Sequence, residues 1–230
     1  MAAVEKLPLS SHSPIRKYSM PLYWWMGLCF FACFLFHSVY NKDIFNNTII
    51  ERSGFMRLED IQHRLLQLDE DADLMFEEDQ HFICIIVGGS AFVLLGYSTR
   101  VTHDIDMLRA SPELNSLLQK YDMNTNVQAY LDNFPDDCWE RLKPIPLQTQ
   151  RINFYTLALE DLIVSKLAAS RGQDIADISS DEVIRSIDWN QLSKSANILR
   201  QGMLNERTQS EFDFAFHTYW EKYHHETTDF

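Results

Sequence analysis

The chain has 230 residues, 20 Lys and Arg against 33 Asp and Glu, and a net charge of −13. That length gives one domain a full core, with or without an appendage. The charge is uneven, about +2 over residues 1–55 and −15 over the rest, and so acidic a body is a poor non-specific binder of nucleic acid, with no non-specific DNA binding expected, because such binding comes from neutralising phosphates. The four cysteines, Cys29, Cys33, Cys84 and Cys138, have no metal or redox spacing and read as buried or incidental thiols of a reducing compartment.

From Leu22 to Phe36 every residue is apolar or Gly, and no charge occurs between Lys17 and Lys42. The 15-residue core of this run is short of the ~20 that span a bilayer, but residues 18–41 together reach that length. Three readings of residues 1–55 stand: a membrane anchor, an apolar arm packed on the body or a partner, or an extension upstream of a true start at Met56. The abrupt change of composition favours the last, with the body cytoplasmic. An anchor with Arg16 and Lys17 before it would export everything downstream.

The body opens with Leu58, Ile61, Leu65, Leu68, Ala72 and Met75, whose steps of three and four predict an amphipathic helix over 57–76. Phe82 to Val87 is an unbroken apolar run of strand length. Gly88 and Gly89 follow, where the backbone can pass close to a ligand because no Cβ intervenes. They open a short predicted helix, Ser90 to Leu95, with Ser90 as N-cap, whose unpaired N–H groups suit a phosphate. A second strand is predicted over 104–108. Alternation on it turns Asp104 and Asp106 to one face and His103 to the other. Two adjacent carboxylates repel unless a cation lies between them, and phosphate donors beside them suggest a Mg²⁺–nucleotide site.

Ser111-Pro112-Glu113 predicts a helix start running to about Tyr121. Val127 to Leu131 alternates and reads as a strand, with Gln128, Tyr130 and Asp132 on one face. Phe134 to Asp137 is a loop. Arg151 to Leu157 alternates again and precedes a helix with Glu160 and Asp161 in its first turn. On that helix Lys166, Ser170, Asp174 and Asp177 are spaced by four, four and three and share one stripe. Asp174 and Asp177 would orient Lys166, and Arg171 would pair with Asp174. Residues 181–200 and 206–224 are predicted helical. The last carries Phe212, Phe214, Phe216, Tyr219, Trp220 and Tyr223 among His217, His224 and His225, an aromatic face for docking rather than a metal cluster. The pattern predicts an α+β fold: a small mixed sheet flanked by helices. It divides into an extension (1–55), a core (56–180) and a helical C-terminal part (181–230).

Two segments carry a family resemblance. Gly88-Gly89-Ser90, a short helix ending at Gly96, and Thr99-x-x-Thr102-His103-Asp104-Ile105-Asp106 resemble the DNA polymerase β nucleotidyltransferase superfamily. They are most similar to its small bacterial families that include abortive-infection and toxin–antitoxin enzymes. The segment from Leu159 to Ile178 resembles the same families' helix, E-D-L-hydrophobic-x-x-K-L-A-x-x-R-x-x-D-hydrophobic-x-D. The resemblance covers about residues 57–180.

It implies transfer of a nucleotide from a nucleoside triphosphate to a hydroxyl of an RNA or protein acceptor, with Mg²⁺ held by Asp104 and Asp106. Gly88, Gly89 and Ser90 would hold the outer phosphates, Lys166 would face them, and Arg100 could contact nucleotide or acceptor. It also implies a cognate toxin or antitoxin partner. Full members carry a third carboxylate on a later strand. Arg151, Asn153 and Tyr155 offer none, so Asp132 is the expected third ligand. The alternative is a site decayed into a partner-binding, antitoxin-like module.

Overall fold

The computed structural model describes residues 56–98 and 102–224, all within one compact unit, Gly54–Phe230. The apolar extension, Thr99, Arg100 and His225 lie outside the described residues.

Helix α1 (Leu58–Met75) follows the predicted stripe and buries Ile61, Leu65, Leu68 and Ala72, each large aliphatic contributing about 1.5–3 kcal/mol of burial. Strand β1 (Phe82–Val87) runs into α2 (Gly88–Leu94), and β2 (Asp106–Ala110) returns beside it. A 3₁₀ turn (Pro112–Leu114) leads into α3 (Asn115–Lys120). Two further 3₁₀ segments, Asn126–Asn133 and Cys138–Arg141, precede β3 (Lys143–Pro144) and β4 (Ile152–Thr156). Helices α4 (Leu159–Ala169), α5 (Gly172–Ile178), α6 (Asp181–Ser186), α7 (Trp189–Gly202) and α8 (Glu206–Tyr223) complete the chain.

The sheet order is β2-β1-β4-β3. Strand β1 pairs antiparallel with β2 and parallel with β4, and β3 pairs antiparallel with β4. The sheet is therefore mixed, as the sequence predicts.

Three expected elements differ. Val127 to Leu131 is not a strand but the middle of a 3₁₀ helix; five residues of alternation lay too few side chains to separate the two periods. The helix expected to carry Lys166 through Asp177 breaks at Ser170, whose left-handed backbone (φ 49°) ends α4 before α5 begins. The span 181–200 is likewise two helices, because Asp188 caps α7 by accepting from the N–H groups of Asn190 and Gln191.

The start of β4 is clamped to α1 by one side chain. Buried Asp69 accepts from the backbone N–H groups of Gln150 (2.7 Å), Arg151 (2.9 Å) and Ile152 (2.7 Å). Asp69→Ala would strand these donors, and we expect a loss of about 3 kcal/mol or more of stability, read as a lower urea midpoint. Asp69→Asn, which keeps one acceptor oxygen, should lose less.

Candidate nucleotide site

A cleft of about 700 Å³ opens where the turn after β1 meets the start of β2, a size suited to small-molecule ligands. Val87 pairs with Asp106 across the two strands. The next residue, Gly88, has φ +69°, and a Cβ on it would collide with the Asp106 carboxylate. Any other residue would thus be strained and would displace that carboxylate. Gly89 lies beside the hydroxyl of Thr102, where an added Cβ would stand 3.4 Å from Oγ1.

Asp104 and Asp106 both line the cleft. Strand β2 begins only at Asp106, so Asp104 sits in the approach loop, which is fastened at several points. Met56 and Thr102 exchange backbone hydrogen bonds, and Thr102 Oγ1 donates to the Asp104 carbonyl (3.1 Å). Asn124 donates its backbone N–H to Ile105 (3.0 Å) and accepts from Met107 (2.8 Å). Asn124 Nδ2 donates to Asp106 Oδ1 at 2.7 Å.

Burial, and secondarily the charge of Asp104, raises the pKa of Asp106 above the ordinary carboxylate value; the Asn124 amide, Lys166 and Arg171 work the other way without cancelling it. The anion is therefore short of positive partners.

Opposite stand residues from α4 and α5. Lys166, only 7% exposed, donates from Nζ to Asp174 (2.9 Å) and Asp177 (2.8 Å) and lies 5.4 Å from the centre of the Phe92 ring. Arg171 pairs with Asp174 at 2.6 Å, as its spacing suggests. Burial works against the Asp174 anion, but hydrogen bonds from Arg171 and Lys166 outweigh it and hold its pKa below the ordinary value. The cluster gathers across the break at Ser170, not along one continuous stripe.

Three expected placements fail. Ser90 is not an N-cap: α2 starts at Gly88, which makes Ser90 its third residue. Its buried hydroxyl donates back to the Val87 carbonyl (3.0 Å) and does not line the cleft. Asp132 is exposed on the 3₁₀ helix, outside the cleft lining, so the expected third carboxylate is not brought to the pair. His103 does line the cleft beside Asp104; strand alternation does not apply in a loop. Sequence reasoning missed Asn124, Asn126 and Asn133, which line the cleft together with Tyr130, the residue expected beside Asp132 on a strand face. Three asparagines within ten residues were the one signal for them.

Mg²⁺ fits this donor set. It is commonly held by one or two carboxylates, with phosphates and water completing its octahedron, and a cation would relieve the strained Asp106 anion. Among the described residues no group of three or more His, Cys, Asp or Glu forms an all-protein metal cage. A cation beside Asp104 and Asp106 would thus depend on phosphate oxygens as well.

A family model described as a nucleotidyltransferase of unknown function (DUF6036) matches residues 63–226. No curated protein matches the chain, and no solved structure does.

The raised pKa of Asp106 gives a test. Unfolded, the group titrates at its ordinary value; folded, it titrates higher. Between those values the native state keeps a proton that the unfolded chain has lost, so stability falls as pH rises through the window. Asp106→Asn removes the anion. Without divalent cations, the variant should melt above the wild type at neutral pH and lose the pH dependence in that window, as thermal melts across a pH series would show.

Proposed function

The chain belongs to this nucleotidyltransferase family, and on that premise we propose that it moves a nucleotide from a Mg²⁺-bound nucleoside triphosphate to a hydroxyl of an RNA or protein acceptor. The observation that carries the reading is the meeting of Asp104 and Asp106 with the Gly88–Gly89 turn in one cleft. Asp104 and Asp106 would hold the cation, which when bound neutralises charge on the phosphates and on the attacking and leaving oxygens. The first N–H groups of α2, at Gly88 and Gly89, have no partner within the helix and would bind outer phosphate oxygens. Arg171 adds positive charge at the rim. Lys166, locked by Asp174 and Asp177, presents its charge to the cleft from a fixed position.

In the transfer the acceptor oxygen bonds to the α-phosphorus, the bond to pyrophosphate breaks, and the hydroxyl proton is released. The acidity of the body favours a protein acceptor, since an RNA would need a basic patch or a basic partner. The resemblance to abortive-infection and toxin–antitoxin enzymes extends the proposal to one half of a bacterial two-gene pair acting in the cytoplasm. The exposure of Asp132 supports a second reading, in which the fold is kept but the site has decayed into a partner-binding module.

Full-length protein incubated with each labelled nucleoside triphosphate, Mg²⁺, and cell RNA or lysate protein separates these readings. The wild type should transfer label, and the fraction that carries it names the acceptor class. Asp104→Asn with Asp106→Asn should reduce transfer by at least about a hundredfold, in line with losing electrostatic stabilisation of the transition state. Label that survives the double substitution would sink the assignment of the carboxylates. No label from a folded wild type with any nucleotide would favour the decayed module.

A further inference from the structure

The transfer chemistry uses one side of the cleft and leaves the other without a role. That second wall is the 3₁₀ helix Asn126–Asn133, which packs beside β2 and α4. The segment is two short 3₁₀ turns that meet at Tyr130, and Val127, Tyr130 and Asn133 all line the cleft. Tyr130 is 62% exposed. Its backbone (φ −114°, ψ 24°) leaves the helical region and bends the segment there, into the sparsely populated bridge region where many active-site residues sit. Tyr130, Arg171 and Asp106 all line this one cleft, so ring and carboxylate border the same space.

A nucleoside triphosphate has two chemically different ends, and the cleft has two different walls. One is charged. The other, with no ionised side chain, offers an aromatic ring, two carboxamides and an apolar floor at Val127 and Phe134.

Resting on the nucleotidyltransferase reading, we propose that the Asn126–Asn133 segment is the base-recognition wall of the site: the Tyr130 ring stacks on the nucleobase of the bound nucleoside triphosphate, and the Asn126 and Asn133 carboxamides hydrogen-bond its edge. A carboxamide carries both a donor and an acceptor, which matches the adjacent donor–acceptor pairs on base edges. Stacking on the exposed ring supplies affinity without demanding one particular base, since every base has a π-face. The substrate is on this account recognised by its base as well as by its phosphates.

The test is calorimetry on the full-length protein in Mg²⁺ with ATP, GTP, CTP and UTP, and with inorganic tripolyphosphate as a probe that has phosphates but no base. Wild type, Tyr130→Ala and Tyr130→Phe are compared, and melting confirms that each is folded; an exposed ring can be removed without opening the core. The expected result is that at least one nucleotide binds more tightly than tripolyphosphate. Tyr130→Ala then weakens that nucleotide about ten- to a hundredfold and leaves tripolyphosphate unchanged, while Tyr130→Phe, which keeps the ring, stays near the wild type. Asn133→Ala is expected to change the ranking of the four nucleotides. Nucleotide binding that is indifferent to Tyr130→Ala, or a loss shared equally with tripolyphosphate, overturns the base wall and leaves the nucleotidyltransferase reading standing. Unchanged nucleotide affinity with impaired label transfer gives the wall to the acceptor and likewise overturns the proposal. A wild type that binds neither probe overturns both.

Discussion

The site depends on one close approach, between the backbone of Gly88 and the carboxylate of Asp106. Strand β1 is apolar throughout and, apart from Ile83, buried, so its pairing with β2 is fixed by the core. That pairing puts Asp106 opposite Val87, and the chain must turn at the next residue. Only a residue without a Cβ can make the turn there without moving the carboxylate. The hydrophobic effect thus sets where the acid stands, and the glycine allows it to stay. The consequence is electrostatic: a half-buried carboxylate with Asp104 nearby is a poor anion.

The rest of the cleft does not cancel this deficit. Its lining holds four carboxylates, Asp104, Asp106, Asp174 and Asp177, against the cations of Lys166 and Arg171. Both cations are already engaged, Lys166 by Asp174 and Asp177 and Arg171 by Asp174. A free triphosphate approaching such a surface would meet net repulsion, reinforced by the acidity of the whole body. On the proposed reading, a triphosphate that carries its own divalent cation would not, because the ion would answer Asp104 and Asp106 while its phosphates would face the N–H groups of α2. The same balance explains why the locked lysine is tolerable. Removing Asp174 or Asp177 would leave a buried ammonium under-compensated, the costly state for such a group.

How much of this was legible in the sequence depended on the length of each pattern. Helix α1 was readable because a long stripe admits one period, and strand β1 because an unbroken apolar run of strand length ends at Gly-Gly. The meeting of the Gly-Gly turn with the two aspartates was readable as well, because a strand, a tight turn and a short helix leave few ways to bring the next strand back. Two of the failures share a cause. Reading Val127 to Leu131 as a strand, and His103 as facing away, both took alternation to mean strand where the chain makes a 3₁₀ helix or a loop. Ser90 was expected at the N-cap but stands three positions later, as the third residue of α2, and its hydroxyl turns from the cleft into the backbone. Lys166, Asp174 and Asp177 were grouped correctly through a helix that in fact breaks at Ser170. The acids still reach the lysine because the left-handed residue folds α5 back against α4.

Helix α4 joins the site to the C-terminal helices. Lys166 faces the cleft, while Asp161, five residues earlier and so about 140° around the helix, faces away from it. Asp161 is fully buried and accepts from Arg141 (2.9 Å) and from the Ser195 hydroxyl (2.7 Å) on α7, and Glu160 accepts from the N–H of Asp188. Arg141 also pairs with Asp137 at 2.6 Å. Helix α8 adds a different kind of contact: Tyr219 donates to the Ile178 carbonyl at the end of α5 (2.6 Å), and Trp220 packs edge-on to Trp189 (5.4 Å). The charged network fixes the back of α4, and the aromatic contacts fix the end of α5, the two helices that carry Lys166 and Asp174. A buried carboxylate that loses its partner costs several kcal/mol, so α4 cannot shift without breaking the Asp161 network. The family match runs to residue 226, through α7 and α8, as expected if these helices are the support that keeps the cleft's cations where a phosphate would meet them.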